Sequence, residues 1–112
     1  MKKFIAIYMS SREEIDKFMS RAPEDRQKDM KGMMGEWEAW HKAHSKNVTD
    51  LGNPFGKTKK ITSGGVSETK NELTGYSFVN ADDYNAAVKL FEGHPHLKFP
   101  GASIEIMECL PM

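Results

Sequence analysis

The amino-acid sequence predicts an α+β fold, an antiparallel sheet with helices on one of its faces. Two observations predict it. Strand-like runs rich in β-branched and aromatic residues lie near the start of the chain, past its middle and near its end, at residues 4–9, 73–80 and 104–107. Between them lie stretches whose apolar residues recur at helical spacing, residues 24–45 and 82–92.

Residues 4–9, Phe-Ile-Ala-Ile-Tyr-Met, are apolar without interruption and end at Ser10 and Ser11. Both faces of such a strand are apolar, which predicts a central position with cover on both sides. Ser11 followed by Glu14 has the spacing of a capping box and predicts a short helix to about Phe18. Pro23 suits a first helical turn, and Glu24 and Asp25 complement the positive end of the helix dipole. Met30, Met33, Met34, Trp37, Trp40, His41 and His44 then mark one long amphipathic helix over 24–45. Gly32 and Gly35 weaken it by up to ~1 kcal/mol each relative to Ala, and leave room for close approach of a strand or partner.

Residues 48–52 form a short strand candidate, and Gly52-Asn53-Pro54-Phe55-Gly56 is a turn cluster. Residues 57–63 are a second short strand whose three lysines suit a sheet edge. Residues 64–71 read as a loop opened by paired glycines. In strand 73–80, Thr74, Tyr76 and Phe78 share one face and Gly75, Ser77 and Val79 the other. Asp82 can cap a helix with the stripe Tyr84, Ala87, Val88 and Phe91, which Gly93 stops. In the last strand Ile104 and Ile106 oppose Glu105 and Met107.

Taking the two short strands as one bent unit or hairpin, the order is β-α-β-β-α-β, a ferredoxin-like protomer with both helices on one face. The other face then carries apolar residues from several strands. A bare apolar face of that size is uncommon on a monomer, so a homodimer of two-fold symmetry is expected. The chain, residues 1–112, reads as a single domain without repeat or linker.

The totals narrow the function classes. Sixteen Lys+Arg balance sixteen Asp+Glu, which argues against a dedicated nucleic-acid or membrane-surface protein. No apolar stretch approaches the ~20 residues needed to span a bilayer. The single cysteine, Cys109, excludes an intramolecular disulfide framework and fits a reducing compartment. With no signal-peptide pattern, a cytoplasmic location is expected. No phosphate-binding loop, dinucleotide fingerprint, nucleophile elbow or zincin motif occurs, and no cofactor is expected.

From Gly64 onward, Gly65-Val66-Ser67-Glu68-Thr69-Lys70, Leu73-Thr74-Gly75-Tyr76, Ala81-Asp82 with Ala87, Gly93-His94-Pro95-His96 and Ile104-Glu105-Ile106 together resemble the DGPF group of the YCII-related proteins. The opening strand, the tryptophan-bearing helix and the turn from Gly52 to Pro54 agree more loosely. The resemblance implies a dimeric α+β barrel of ferredoxin-like protomers. It also implies either an activity of the lyase kind, since one relative removes chloride from a chlorinated hydroxyquinol, or a role beside sigma-factor stress signalling. The His–Asp dyad proposed for the YCII branch is not carried over, because His94 stands where the Asp would precede the proline. Gly64-Gly65-Val66-Ser67 likewise stands where the group name has Asp-Gly-Pro-Phe.

Several residues have chemistry worth placing, each beside a plainer reading. His94 and His96 flank Pro95 and could act as acid and base near neutral pH, or simply satisfy a helix end and pack a loop. As a metal site the pair lacks an evident third ligand, and no metal is expected. Glu68 and Lys70 could orient a polar ligand at a pocket mouth or merely fix a loop. Trp37 and Trp40 could stack a flat ligand or belong to the core. Tyr76, Phe78 and Asp50 are further candidates for a cleft wall. The expectation is a small aromatic or hydroxylated molecule held in a cleft between sheet and helices. If turnover occurs, it is cofactor-free elimination or isomerisation, with His94 or His96 as base and Lys70 as electrostatic stabiliser. The alternative is a binding or regulatory module without turnover.

Overall fold

A computed structural model describes all of residues 1–112. In chain order the elements are β1 (Lys2–Met9), α1 (Arg12–Met19), α2 (Pro23–Ala43), β2 (Val48–Asp50), β3 (Thr58–Thr62), β4 (Gly65–Thr69), β5 (Leu73–Ala81), α3 (Tyr84–Phe91) and β6 (Ser103–Glu108), with a 3-10 turn at Pro95–Lys98 before β6. Four strands make one sheet in the order β2-β5-β1-β6, antiparallel at every step. The arrangement is α+β and compatible with the ferredoxin-like plan.

β1 is central, as its apolar composition predicts. Its register sets Phe4 opposite Val79, Ala6 opposite Ser77 and Tyr8 opposite Gly75. All six of these residues are buried, and all six lie on the helix-covered face. Trp40 of α2, Ala87 and Phe91 of α3, and Val48 of β2 complete that core. Each large side chain buried there contributes roughly 1.5–3 kcal/mol. The opposite face holds Ile5, Ile7, Met9, Tyr76 and Phe78, all half-buried, and Met107, which is exposed. No helix covers them.

Caps explain the helix starts. Ser11 accepts from the backbone N–H of Glu14 at 3.3 Å, as expected from the spacing. At α3 the cap is Asp83 rather than Asp82: its carboxylate accepts from the N–H of Ala86 at 2.7 Å. Of the expected stripe Ala87 and Phe91 are buried and Val88 half-buried, while Tyr84, in the first turn, is exposed and its hydroxyl donates to the carbonyl of Ile106 at 3.1 Å. Pro23 opens α2, but from Pro23 to Glu36 only Arg26 and Met33 are even half-buried.

The stretch from 57 to 71 departs most from expectation. Residues 64–71 are not a loop. Gly64 and Gly65 lie at the turn between β3 and β4, and Thr58 to Thr62 pairs in strict register with Thr69 to Gly65. β3 therefore lies in a separate two-stranded sheet and does not extend the main one. The lysines that suggest an edge belong to a hairpin in which every residue from Lys59 to Glu68 is exposed. This arm and the outer half of α2 make the chain broad and flat, 41 × 40 × 20 Å, with a radius of gyration of 15.5 Å. A compact domain of this length would have a radius of gyration of about 13 Å.

Candidate functional site

The strongest concentration of polar chemistry inside the molecule lies at the end of β1. Gly93, at φ +74°, ends α3, and Pro95 starts the 3-10 turn at once, so His94 is driven inward as that turn's cap. Its Nδ1 accepts from the backbone N–H of His96 at 3.0 Å. The proton of the neutral ring must then sit on Nε2, a buried donor with no acceptor. His96 points the other way and donates from Nε2 to the carbonyl of Met9 at 2.8 Å, which joins the turn to β1.

Aromatic rings close around the pair. The Trp37 and Trp40 rings each lie 4.6 Å from the His94 ring, and Tyr8 lies 5.1 Å from His94 and 5.3 Å from His96. Trp37 meets His94 edge to face at 89°. Trp40 is satisfied, because its indole N–H donates to the carbonyl of Leu90 at 3.0 Å. Trp37 is not: its indole N–H is buried without an acceptor. Two adjacent rings thus each carry a buried, unpaired donor, an arrangement that folded proteins rarely leave without a reason.

Tyr8 closes the inner wall. Ser77 donates to the carbonyl of Leu51 at 2.6 Å, so the Tyr8 hydroxyl donates to Ser77 Oγ at 2.8 Å. Burial outweighs that bond and pushes the phenol up to about 12. Burial likewise pushes His94 down to about 3, with the nearby His96 and His44 rings adding in the same direction. His96 is also lowered by burial, opposed by the carbonyls of Met9 and Ser103. The cluster is therefore neutral across the physiological range. Its flat rings enclose two N–H donors without acceptors. No group of three or more His, Cys, Asp or Glu side chains stands ready for a metal ion.

Of the candidates read from the sequence, His94, His96, Trp37 and Trp40 come together here. The others lie elsewhere. Glu68 stands on the arm opposite Lys59, and Lys70 follows β4; both are exposed. Tyr76 and Phe78 occupy the uncovered sheet face and so cannot wall the same cleft as the tryptophans within one chain. Tyr76 stacks on Phe55 at 5.6 Å, and the Lys3 ammonium sits 4.6 Å from the centre of the Phe78 ring. Asp50 is exposed, and its carboxylate accepts from the N–H of Gly52 at 2.9 Å, fixing the turn after β2. A surface hollow of about 350 Å³ lies at the foot of the arm, between Phe55, Lys57, Lys59, Asn71 and Leu73, and includes none of the cluster.

Tyr8 and Ser77 are the members that the sequence reading misses. The available signal was modest: a tyrosine in a buried central strand needs a hydroxyl partner, and Ser77 is the one hydroxyl among Gly75, Ser77 and Val79 on the inward face of β5.

These features define an α+β protein with a four-stranded antiparallel sheet, one free sheet face and a buried imidazole–indole cluster. No protein-family model matches the chain, and no curated protein matches it in sequence. No helix is long and apolar enough to cross a membrane.

Proposed function

We propose that the chain is a homodimeric relative of the DGPF group of YCII-related proteins, and that each protomer binds a small oxygen-bearing aromatic molecule between α2, the 3-10 turn and the end of β1. The kinship rests on the motifs from Gly65 to Lys70 and from Gly93 to His96. The observation that carries the binding reading is the adjacent pair of buried donors without acceptors, His94 Nε2 and Trp37 Nε1. Tyr8 already touches Trp37 at 4.4 Å, so the half-buried Trp37 ring must swing outward for a phenol or carboxylate oxygen to satisfy one or both. The homodimer rests on the free face of the sheet, where Ile5, Ile7, Tyr76, Phe78 and Met107 have no helix over them and only Phe55 on Tyr76 and Lys3 on Phe78 as partial cover.

Binding without turnover is the favoured form. An acid–base enzyme needs a free lone pair on a group that titrates near its working pH. His94 has its Nδ1 lone pair engaged and its other nitrogen protonated, and burial holds the ring neutral.

The test is thermal unfolding with catechol, salicylate and, as the aliphatic control, cyclohexanol. A ligand at ten times its Kd adds about 1.4 kcal/mol to apparent stability. The aromatic oxygen compounds are expected to raise Tm and cyclohexanol to leave it unchanged, with the rise lost in Trp37→Phe. Equal response to all three, or none to any at millimolar concentration, removes the site. Turnover of a bound compound that is lost in His94→Ala or His96→Ala would reverse the preference for binding alone.

A further inference from the structure

We propose that the β3–β4 arm is an intermolecular clasp: in the dimer it lies over the free sheet face of the second copy, seating Ile61 and Val66 on that copy's apolar side chains. The inference rests on the homodimer just proposed and adds the element that completes its interface.

Three observations point to it. First, the arm is ordered without support from its own chain. Its strands pack substantially only on each other, and between Lys59 and Glu68 nothing is even half-buried. A lone two-stranded hairpin is marginal in water, and packing on further apolar surface is what stabilises one. Second, the arm presents a specific apolar pair. Ile61 faces Val66 across the ladder, so both side chains stand on the same face, 79% and 64% exposed. Two large β-branched residues side by side at the tip of a polar arm are placed for contact.

Third, the sheet face alone is too small. Four strands at ~4.8 Å spacing, over the six residues that β1 shares with β6 at ~3.4 Å each, give a flat footprint of roughly 400 Å². A standard interface takes about 800 Å² from each partner. Because a two-fold axis makes every contact twice, two arms add to both sides at once. Lys59, which shares the face of Ile61 and Val66, has no ion-pair partner in its own chain, and neither has Glu105 on the free face.

Sedimentation velocity on the full chain tests the clasp with two variants. Ile61→Ser with Val66→Ser is expected to weaken dimerisation about 100-fold or more, since each removed contact counts twice. Its monomer loses only the cross-strand contact between these two residues in the exposed arm, and should unfold close to the urea midpoint of dilute wild type. Ile7→Glu, on the sheet face, reports on the underlying dimer. If the wild type stays monomeric at high concentration, the homodimer falls and the clasp with it. If Ile7→Glu dissociates the dimer while the arm variant keeps the wild-type Kd, the clasp alone is overturned. Hydrogen exchange gives an independent reading: amides of residues 59–68 should gain protection as concentration passes the dimer Kd, and amides that stay equally open on both sides of it refute the clasp.

Discussion

His94 converts its burial into a pH dependence whose sign is fixed. Its folded pKa, about 3, lies far below the ordinary 6.5 that returns on unfolding. Between those values the unfolded chain binds the extra proton, so stability falls as pH falls, by about 1.4 kcal/mol per unit from this one ring. His96, shifted in the same direction, adds to the slope. Urea unfolding at pH 7.5, 6.5 and 5.5 should show a clear decline for the wild type. His94→Asn can still accept the His96 N–H and should be less stable at pH 7.5 but visibly flatter; a wild-type profile as flat as the variant's rules the assignment out. Tyr8 gives the opposite reading at the alkaline end. Absorbance titration should find one tyrosine ionising only near pH 12. Tyr8→Phe should remove that step at a cost of about 1 kcal/mol, since Ser77 keeps its bond to the Leu51 carbonyl.

At the scale of elements, glycines separate positions that the fold requires from positions it tolerates. Gly52 has φ +78°, and a Cβ there would run into the backbone carbonyl of Tyr76. Because backbone cannot step aside cheaply, Gly52→Ala should cost about 3 kcal/mol or more, read as a drop in the urea midpoint. Gly32 and Gly35 sit in α2 with open space where a Cβ would go. Replacing both by Ala should raise stability by roughly 0.5–1 kcal/mol each. A loss instead would show that a partner approaches α2 closely there.

The same elements show what the sequence made legible. β1, β5 and β6 declared themselves through alternation and apolar runs, and α2 through Pro23, its acidic first turn and its helical spacing. Of the arm, β3 was legible as a polar strand over 57–63, but β4 was not, because the paired glycines read as a loop and the single apolar pair, Ile61 with Val66, is too short a pattern to reveal the pairing. Four of the cluster's six members were legible, since His94, His96, Trp37 and Trp40 are rare residues at conspicuous places. Their assembly was not, because it depends on Gly93 and Pro95 turning His94 inward onto Tyr8. Tyr76 and Phe78 were placed on the right strand face but assigned to the wrong cleft, since alternation fixes which residues share a face and not which face the helices cover.

Whole-molecule stability should carry the signature of assembly. If the native state is a dimer and the unfolded state is single chains, raising protein concentration favours the native state by mass action. Each tenfold rise adds about 1.4 kcal/mol per dimer. Two chains of 112 residues have an unfolding entropy that turns this into an increase in Tm of about 3 °C. Phe78→Glu should erase the dependence. Phe78 stands on the free face, half-buried among its sheet neighbours and outside the buried core, so within one chain the new carboxylate can reach water. Against a second copy the same charge would be desolvated beside Ile5 and Tyr76, with the Lys3 ammonium its one neighbouring cation, and burying that pair as well as the carboxylate costs enough to separate the chains. Scanning calorimetry at three concentrations spanning a hundredfold decides the matter: a wild-type Tm that does not move with concentration rejects the homodimer, and a variant that keeps the wild-type dependence moves the interface off this face.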